Sequence, residues 1–209
     1  MILRGKTFNV GDRIVMGGVR GDVVALSFMQ TTIMEMGQPP VQSDGPAFWV
    51  HSRQYTGGVV TVSNAKVFDE PVYNYSRDFP YIWEELSLPV RYQDDRAKAE
   101  QILLKAARKH SADIAKLAEE DLTELSKRYR ITGADVAPRV FWRLTDNWLE
   151  LTVRFLTRDH GTRELKDAMS RDVLADLDAA GIGIASENYE VVGFPPLRIE
   201  CVNTHKFES

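Results

Sequence analysis

The stretch Phe8-Asn9-Val10-Gly11-Asp12-Arg13-Ile14-Val15-Met16-Gly17-Gly18-Val19-Arg20-Gly21-Asp22-Val23-Val24-Ala25-Leu26 decides how this chain is read. Residues 13–16 form a short apolar and β-branched run that stops at Gly17-Gly18, a dipeptide able to take positive φ at both central positions of a tight turn. The β-branched run resumes at Val19 and continues to residue 28, so the two runs read as the arms of a hairpin. Gly21 interrupts the second arm, which predicts a bulge or a tight bend there. A glycine-rich run after a strand also raises the question of a phosphate loop. Such a loop needs a helix N-terminus next, so that backbone N–H groups converge on the anion. Here Asp22-Val23-Val24-Ala25-Leu26 follows, which is strand, and the turn reading stands.

Working outward, residues 31–36 alternate weakly and residues 58–62 form another β-branched run before Ser63-Asn64. Between them, residues 37–57 contain Pro39-Pro40 and Asp44-Gly45-Pro46 and read as a long loop with a candidate short strand at residues 47–51. Residues 1–75 are thus expected to be a small β barrel or sandwich. After a junction at residues 75–82 the period changes. Residues 86–92 alternate as a strand. Ala99, Leu103, Ala106 and His110, then Ile114, Leu117, Ala118, Leu122 and Leu125, follow at helical spacing, as one long helix or two meeting near Ser111. Gly133 and Pro138 end that region. Residues 139–144 and 148–157 are strands separated by Thr145-Asp146-Asn147, a hairpin signal. Residues 162–180 carry the stripe Leu165, Met169, Val173 and Leu177, with Gly181 placed as a C-terminal cap. Residues 182–185 and 189–192 read as short strands. The order β-α-β-β-α-β fits a ferredoxin-like α+β layer.

Composition narrows the function. Of 209 residues, 44% are hydrophobic and 27% charged, and the net charge is −4 with a pI near 5.6; these are the proportions of a globular protein, and surplus Lys and Arg for phosphate neutralisation are lacking. The first 75 residues carry 6 basic and 6 acidic side chains, so neither part is a basic module. No run approaches the ~20 apolar residues of a spanning helix. The N-terminus lacks a signal-peptide segment, and the single cysteine, Cys201, suits a reducing compartment. The expectation from these features is a soluble intracellular chain.

Candidate chemistry is sparse. His51, His110, His160 and His205 are scattered without paired metal-ligand spacing, so no metal site is expected. Neither a Gly-x-Ser-x-Gly elbow nor an HExxH helix occurs. Cys201 reads as a structural thiol. Asp94-Asp95 compensate a helix dipole, Glu119-Glu120-Asp121 read as a solvated face, and Asp159 in Arg158-Asp159-His160 reads as a helix N-cap. Trp142 and Trp148 flank the hairpin, where packing on the helices explains them more simply than base stacking. No catalytic residue and no cofactor are expected.

Residues 8–14, then Gly18-Val19-Arg20-Gly21-Asp22-Val23-Val24 and Thr31-Thr32, resemble the small β domain of MscS-like mechanosensitive channels. The resemblance continues in order through Gly58-Val59-Val60-Thr61-Val62-Ser63-Asn64-Ala65-Lys66-Val67-Phe68, Val72-Tyr73-Asn74-Tyr75-Ser76-Arg77, Val90-Arg91-Tyr92-Gln93-Asp94 and Asp178-Ala179-Ala180-Gly181-Ile182. Three departures stand out. Ser63 occupies a position where the family usually has proline. Residues 37–57 form an insertion and the helical stretch after His110 is longer than in the shortest members. The family's membrane helices, which precede the residue matching Phe8, are not in this sequence, and the resemblance implies a natural start upstream of Met1.

The resemblance implies an α+β chain with an Sm-like β domain over residues 1–75, a ferredoxin-like α+β domain over 76–193 and a tail, 194–209, that offers a barrel strand. In that strand Leu197, Ile199 and Cys201 face one side and Arg198 and Glu200 the other. It implies the cytoplasmic vestibule and assembly domain of a channel that opens under membrane tension and releases solutes on hypo-osmotic shock. It further implies a bacterial-type inner membrane with this part on the cytoplasmic side, a sevenfold homo-oligomeric ring, ions and small solutes as permeants, and no nucleic acid. Its motif residues are structural: Gly11, Gly18 and Gly21 shape the barrel, Asn64 and Asn74 bond loop backbone, and Gly181 caps a helix. Two other readings remain at this level. One is an Sm-like RNA-binding protein with an appended α+β domain, against which the acidic balance weighs. The other is an enzyme on the α+β layer, for which only the isolated carboxylates speak.

Overall fold

The computed structural model describes residues 7–37, 54–129 and 135–186. Strands β1 (Arg13–Met16) and β2 (Val19–Leu26) form the hairpin in the register that a two-residue turn dictates: Met16 faces Val19, Val15 faces Arg20, Ile14 faces Gly21 and Arg13 faces Asp22. Gly17 and Gly18 carry φ of +59° and +76°, the left-handed region in which a Cβ is penalised. Then come β3 (Gln30–Met36), β4 (Tyr55–Ser63), the single-turn helix α1 (Lys66–Asp69) and β5 (Tyr73–Asn74). These strands make one antiparallel sheet in the order β4-β3-β2-β1-β5, in which β4 and β5 are end strands not paired to each other. Phe8, Ile14, Met16, Val23, Ile33 and Val62 form its core.

Two expectations are corrected here. The irregularity in β2 falls between Val23 and Ala25, not at Gly21. Gly21 is an ordinary ladder position whose missing side chain lets β3 lie close, since a Cβ there would stand 2.0 Å from the Met34 carbonyl oxygen. The second arm also ends at Leu26, short of residue 28. The Ser27 N–H donates to the Gln30 carbonyl at 2.8 Å and closes a turn, which leaves Phe28 and Met29 exposed at its tip. Residues 47–51 lie outside the described residues.

The second half builds β6 (Tyr81–Val90), α2 (Arg96–Tyr129), β7 (Arg139–Leu144), β8 (Leu149–Arg158) and α3 (Thr162–Ala180). The three strands form an antiparallel sheet in the order β6-β8-β7. Strand β6 starts earlier than residue 86 because β8 supplies ten consecutive partners, from Arg158 opposite Tyr81 to Leu149 opposite Val90. Every second residue of β8 from Leu149 to Phe155 is buried against Ala99, Ile102, Leu103, Ala106 and Ala107 of α2 and Met169, Val173 and Leu177 of α3. The alternation of period 2 on the strand and of 3.6 on the helices is what lets these faces meet.

Helix α2 runs through Ser111 without a break. The Ser111 hydroxyl is buried, yet it donates to the Ala107 carbonyl at 2.7 Å within its own helix, so its burial leaves no unpaired group. Farther on, Ile114, Ala118 and Leu122 pack with Tyr81, Val136 and Leu156 in a second cluster. Asp95 caps the start by accepting the Lys98 N–H at 2.9 Å. At the other end of the unit, Gly181 (φ +67°) follows α3, and the Ile182 N–H returns to the Leu177 carbonyl at 3.1 Å. The strand expected at residues 182–185 reduces to an isolated bridge between Val90 and Ile184. Trp142 stands opposite Leu151, on the sheet face that the helices cover, and lies half exposed there because β7 is an end strand. The strand at 189–192 and the tail with Leu197, Ile199 and Cys201 lie outside the described residues.

Candidate functional site

The β1–β2 hairpin sets Arg13 directly opposite Asp22, and both face inward. Arg13 is 3% exposed. Its Nε donates to Asp22 Oδ1 at 2.7 Å and its Nη2 to Asp22 Oδ2 at 2.9 Å, the bidentate fork that guanidinium and carboxylate geometry favour. The third nitrogen, Nη1, reaches into the second half of the chain. It pairs with Asp159 Oδ2 at 2.7 Å and donates to the Asp159 carbonyl at 3.0 Å. The Tyr55 hydroxyl at the start of β4 donates to Asp22 Oδ2 in a short hydrogen bond, and His160 Nε2 lies 3.4 Å from the same oxygen. The Arg13 backbone is held as well, its N–H by the Ser76 hydroxyl at 2.8 Å and its carbonyl by the Tyr75 N–H at 2.9 Å.

The electrostatics follow from this geometry. Burial alone would lower the Arg13 pKa, but hydrogen bonding to Asp22 and the charges of Asp159 and Asp22 outweigh it and hold the guanidinium above its ordinary value. Burial alone would raise Asp22, but the hydrogen bonds from Arg13 and Tyr55, with the charges of Arg13 and His160, keep it below the usual carboxylate range. The Tyr55 phenol is raised, first by its hydrogen bond to Asp22 and then by burial. A guanidinium and a carboxylate both fixed in their charged forms exchange no proton near neutrality, so what the cluster supplies is position. Removing one partner of such a buried pair costs about 3–5 kcal/mol, because the other charge is left unpaired.

Beside it, the Gln54 side chain bridges the same seam. Its Oε1 accepts from Arg163 Nη1 at 2.6 Å and its Nε2 donates to Glu164 Oε1 at 3.2 Å. The N-cap role expected of Asp159 is not what the structure shows. Gly161 (φ +77°) occupies the cap position of α3 without a side-chain bond, and the Asp159 carboxylate has turned to Arg13 because a buried guanidinium offers a stronger partner than a helix N-terminus.

The motif residues singled out in the sequence lie elsewhere and do not converge. Gly11 (φ +93°) precedes β1, and its N–H donates to the Val23 carbonyl at 2.8 Å. Gly18 is in the hairpin turn, where a Cβ would meet nothing within 4 Å, and Gly21 is under β3. Asn64, 6% exposed, donates through Nδ2 to the Ser27 and Phe28 carbonyls at 2.9 and 3.1 Å and accepts from the Thr31 hydroxyl at 2.7 Å. Asn74 donates to Asp12 Oδ2 at 2.8 Å and accepts the N–H groups of Ser76 and Arg77, each at 3.1 Å. Gly181 stands at the far end of α3. Sequence reasoning passed over Arg13 and Asp22, although a signal was present. Once Gly17-Gly18 is taken as a two-residue turn, counting back along both arms puts a cation opposite an anion.

Among the described residues no group of three or more His, Cys, Asp or Glu side chains is placed to hold a metal ion, and no helix is long and apolar enough to cross a membrane.

Comparison with known proteins adds three findings. The family described as the mechanosensitive ion channel beta-domain matches residues 1–42. The closed-state crystal structure of Helicobacter pylori MscS superposes with a TM-score of 0.60 at 17% identity, covering 93% of this chain and 62% of that one. Wild-type MSL1 of Arabidopsis thaliana superposes with a TM-score of 0.52 at 16% identity, covering 90% and 54%. This chain therefore spans less than two thirds of the length of either structure. No curated protein matches by sequence. The N-terminal part of the chain thus matches the beta-domain family of the mechanosensitive ion channels, and the chain shares the fold of Helicobacter pylori MscS over most of its length.

Proposed function

We propose that this chain is the cytoplasmic vestibule and assembly part of a channel that opens under membrane tension and releases solutes on hypo-osmotic shock. Residues 1–75 form an Sm-like β domain, 76–193 a ferredoxin-like α+β domain and 194–209 a tail that offers a barrel strand. The observation that carries the reading is the coincidence of a beta-domain match over residues 1–42 with a shared fold over 93% of the chain. The ferredoxin-like part is supported by the strand order β6-β8-β7, with Ile184 beginning a fourth position beside β6.

Assembly as a sevenfold ring is supported by the end strands of the first sheet. Val59 and Tyr55 on β4 and Tyr73 on β5 are more than half exposed, and an end strand with unpaired backbone groups is a liability that a cyclic neighbour removes. In this reading Gly11, Gly18 and Gly21 shape the β domain, Asn64 and Asn74 fix its loops, and Gly181 ends the second helix of the α+β domain. The protein sits in a bacterial-type inner membrane with this part on the cytoplasmic side, passes ions and small solutes, and binds no nucleic acid. The test is patch recording from liposomes containing the complete protein to which this chain belongs. A conductance that opens under suction and closes on release is expected, with seven copies per particle by native mass spectrometry. Silent patches despite incorporated protein would overturn the gating assignment, and a monomer would overturn the ring.

A further inference from the structure

We infer that Arg13 is a latch that makes the two sheets of this chain move and unfold as one body. The β1–β2 hairpin and the β8–α3 connection lie 146 residues apart in sequence. The short segment from Asp159 to Glu164 nevertheless receives links from three strands or strand ends of the first half. Arg13 reaches Asp159, Asp22 approaches His160, and Gln54 grips Arg163 and Glu164. Only the first of these is fully buried; Gln54 is half-buried and His160 is exposed. The guanidinium therefore carries the connection and the others line its margin.

The charge pattern has a direction. Two carboxylates, one from each half, converge on one guanidinium, so pulling the halves apart takes the buried Asp159 carboxylate from its ionic partner. The fork to Asp22 belongs to the first half and survives separation, whereas the arm to Asp159 exists only across the seam. The latch can thus be cut without dismantling the hairpin. This inference concerns the chain's own mechanics and does not depend on whether the protein is a channel.

The test is scanning calorimetry of the full chain with Asp159→Asn, which removes the charge on the far side and leaves the Arg13–Asp22 fork intact. The unaltered chain is expected to unfold in one transition. Asp159→Asn is expected to split it into two, and hydrogen exchange at the Arg13 amide, which the Ser76 hydroxyl holds, rises by more than roughly tenfold. Should Arg13→Met fail to fold, Asp159→Asn alone decides the matter. Two transitions in the unaltered chain, or one merely shifted transition in Asp159→Asn with unchanged exchange at the seam, would overturn the proposal.

Discussion

Gly18 and Gly21, three residues apart, do different work, and an added Cβ separates them. At Gly18 the constraint is conformational: φ is +76° and the space around a Cβ is empty. At Gly21 it is steric, with the Met34 carbonyl oxygen 2.0 Å and Ile33 Cγ2 2.6 Å from where a Cβ would go. Gly18→Ala should therefore cost about 1 kcal/mol, while Gly21→Val, which must push a neighbouring strand away, should cost about 3 kcal/mol or more. Urea unfolding of both variants checks the ranking. The sequence reading placed a special requirement at both positions, since glycine inside a β-branched run is conspicuous. It mistook the kind at Gly21, because a close approach by β3 is a property of the partner strand and leaves no mark beside the glycine itself.

At the scale of elements, α2 shows why period alone left its continuity open. The spacing from Ala99 to His110 and that from Ile114 to Leu125 each describe a face, and Ser111 between them is a polar residue that breaks an apolar stripe. The structure settles this because Ser111 answers its own hydrogen bond within the helix and each half of α2 has its own core to pack on. Ser111 thus contributes no link to another element, and alanine is the better helix former. Ser111→Ala is expected to leave the protein unchanged or more stable by up to about 0.5 kcal/mol, read as a small rise in the thermal midpoint. A marked loss of stability would mean that the hydroxyl has a partner beyond its own turn. The strands were more legible than their ends: β6 gained residues 81–85 and the strand expected at 182–185 shrank to one bridge, since length in a sheet is set by what the neighbour offers.

For the whole molecule, the buried ion cluster around Arg13, beside the seam between the two halves, makes stability depend on acidity. Asp22 holds its proton less tightly when folded than an ordinary carboxyl does, so the unfolded chain is protonated first as pH falls. The stabilisation from Asp22 is complete above the usual carboxylate range and is lost as pH drops through its own lower value. As pH falls through the usual carboxylate range and below it, the parent chain should lose urea stability along a limb that flattens in Asp22→Asn. That seam was the part of the molecule least visible in sequence. Runs of β-branched residues and apolar periodicity foretold most of the strands and the helical stretches, whereas the meeting of Arg13 with Asp159 depends on how two finished units stack. Pro89 carries a different consequence for the assembled protein. It lies in β6, an end strand of the second sheet, and its carbonyl already accepts the Ala185 N–H at 2.9 Å. Having no N–H, Pro89 breaks the row of donors along that rim. An incoming strand would meet no donor at Pro89 and would find its acceptor already taken by Ala185, so this stretch of the rim offers no template for pairing.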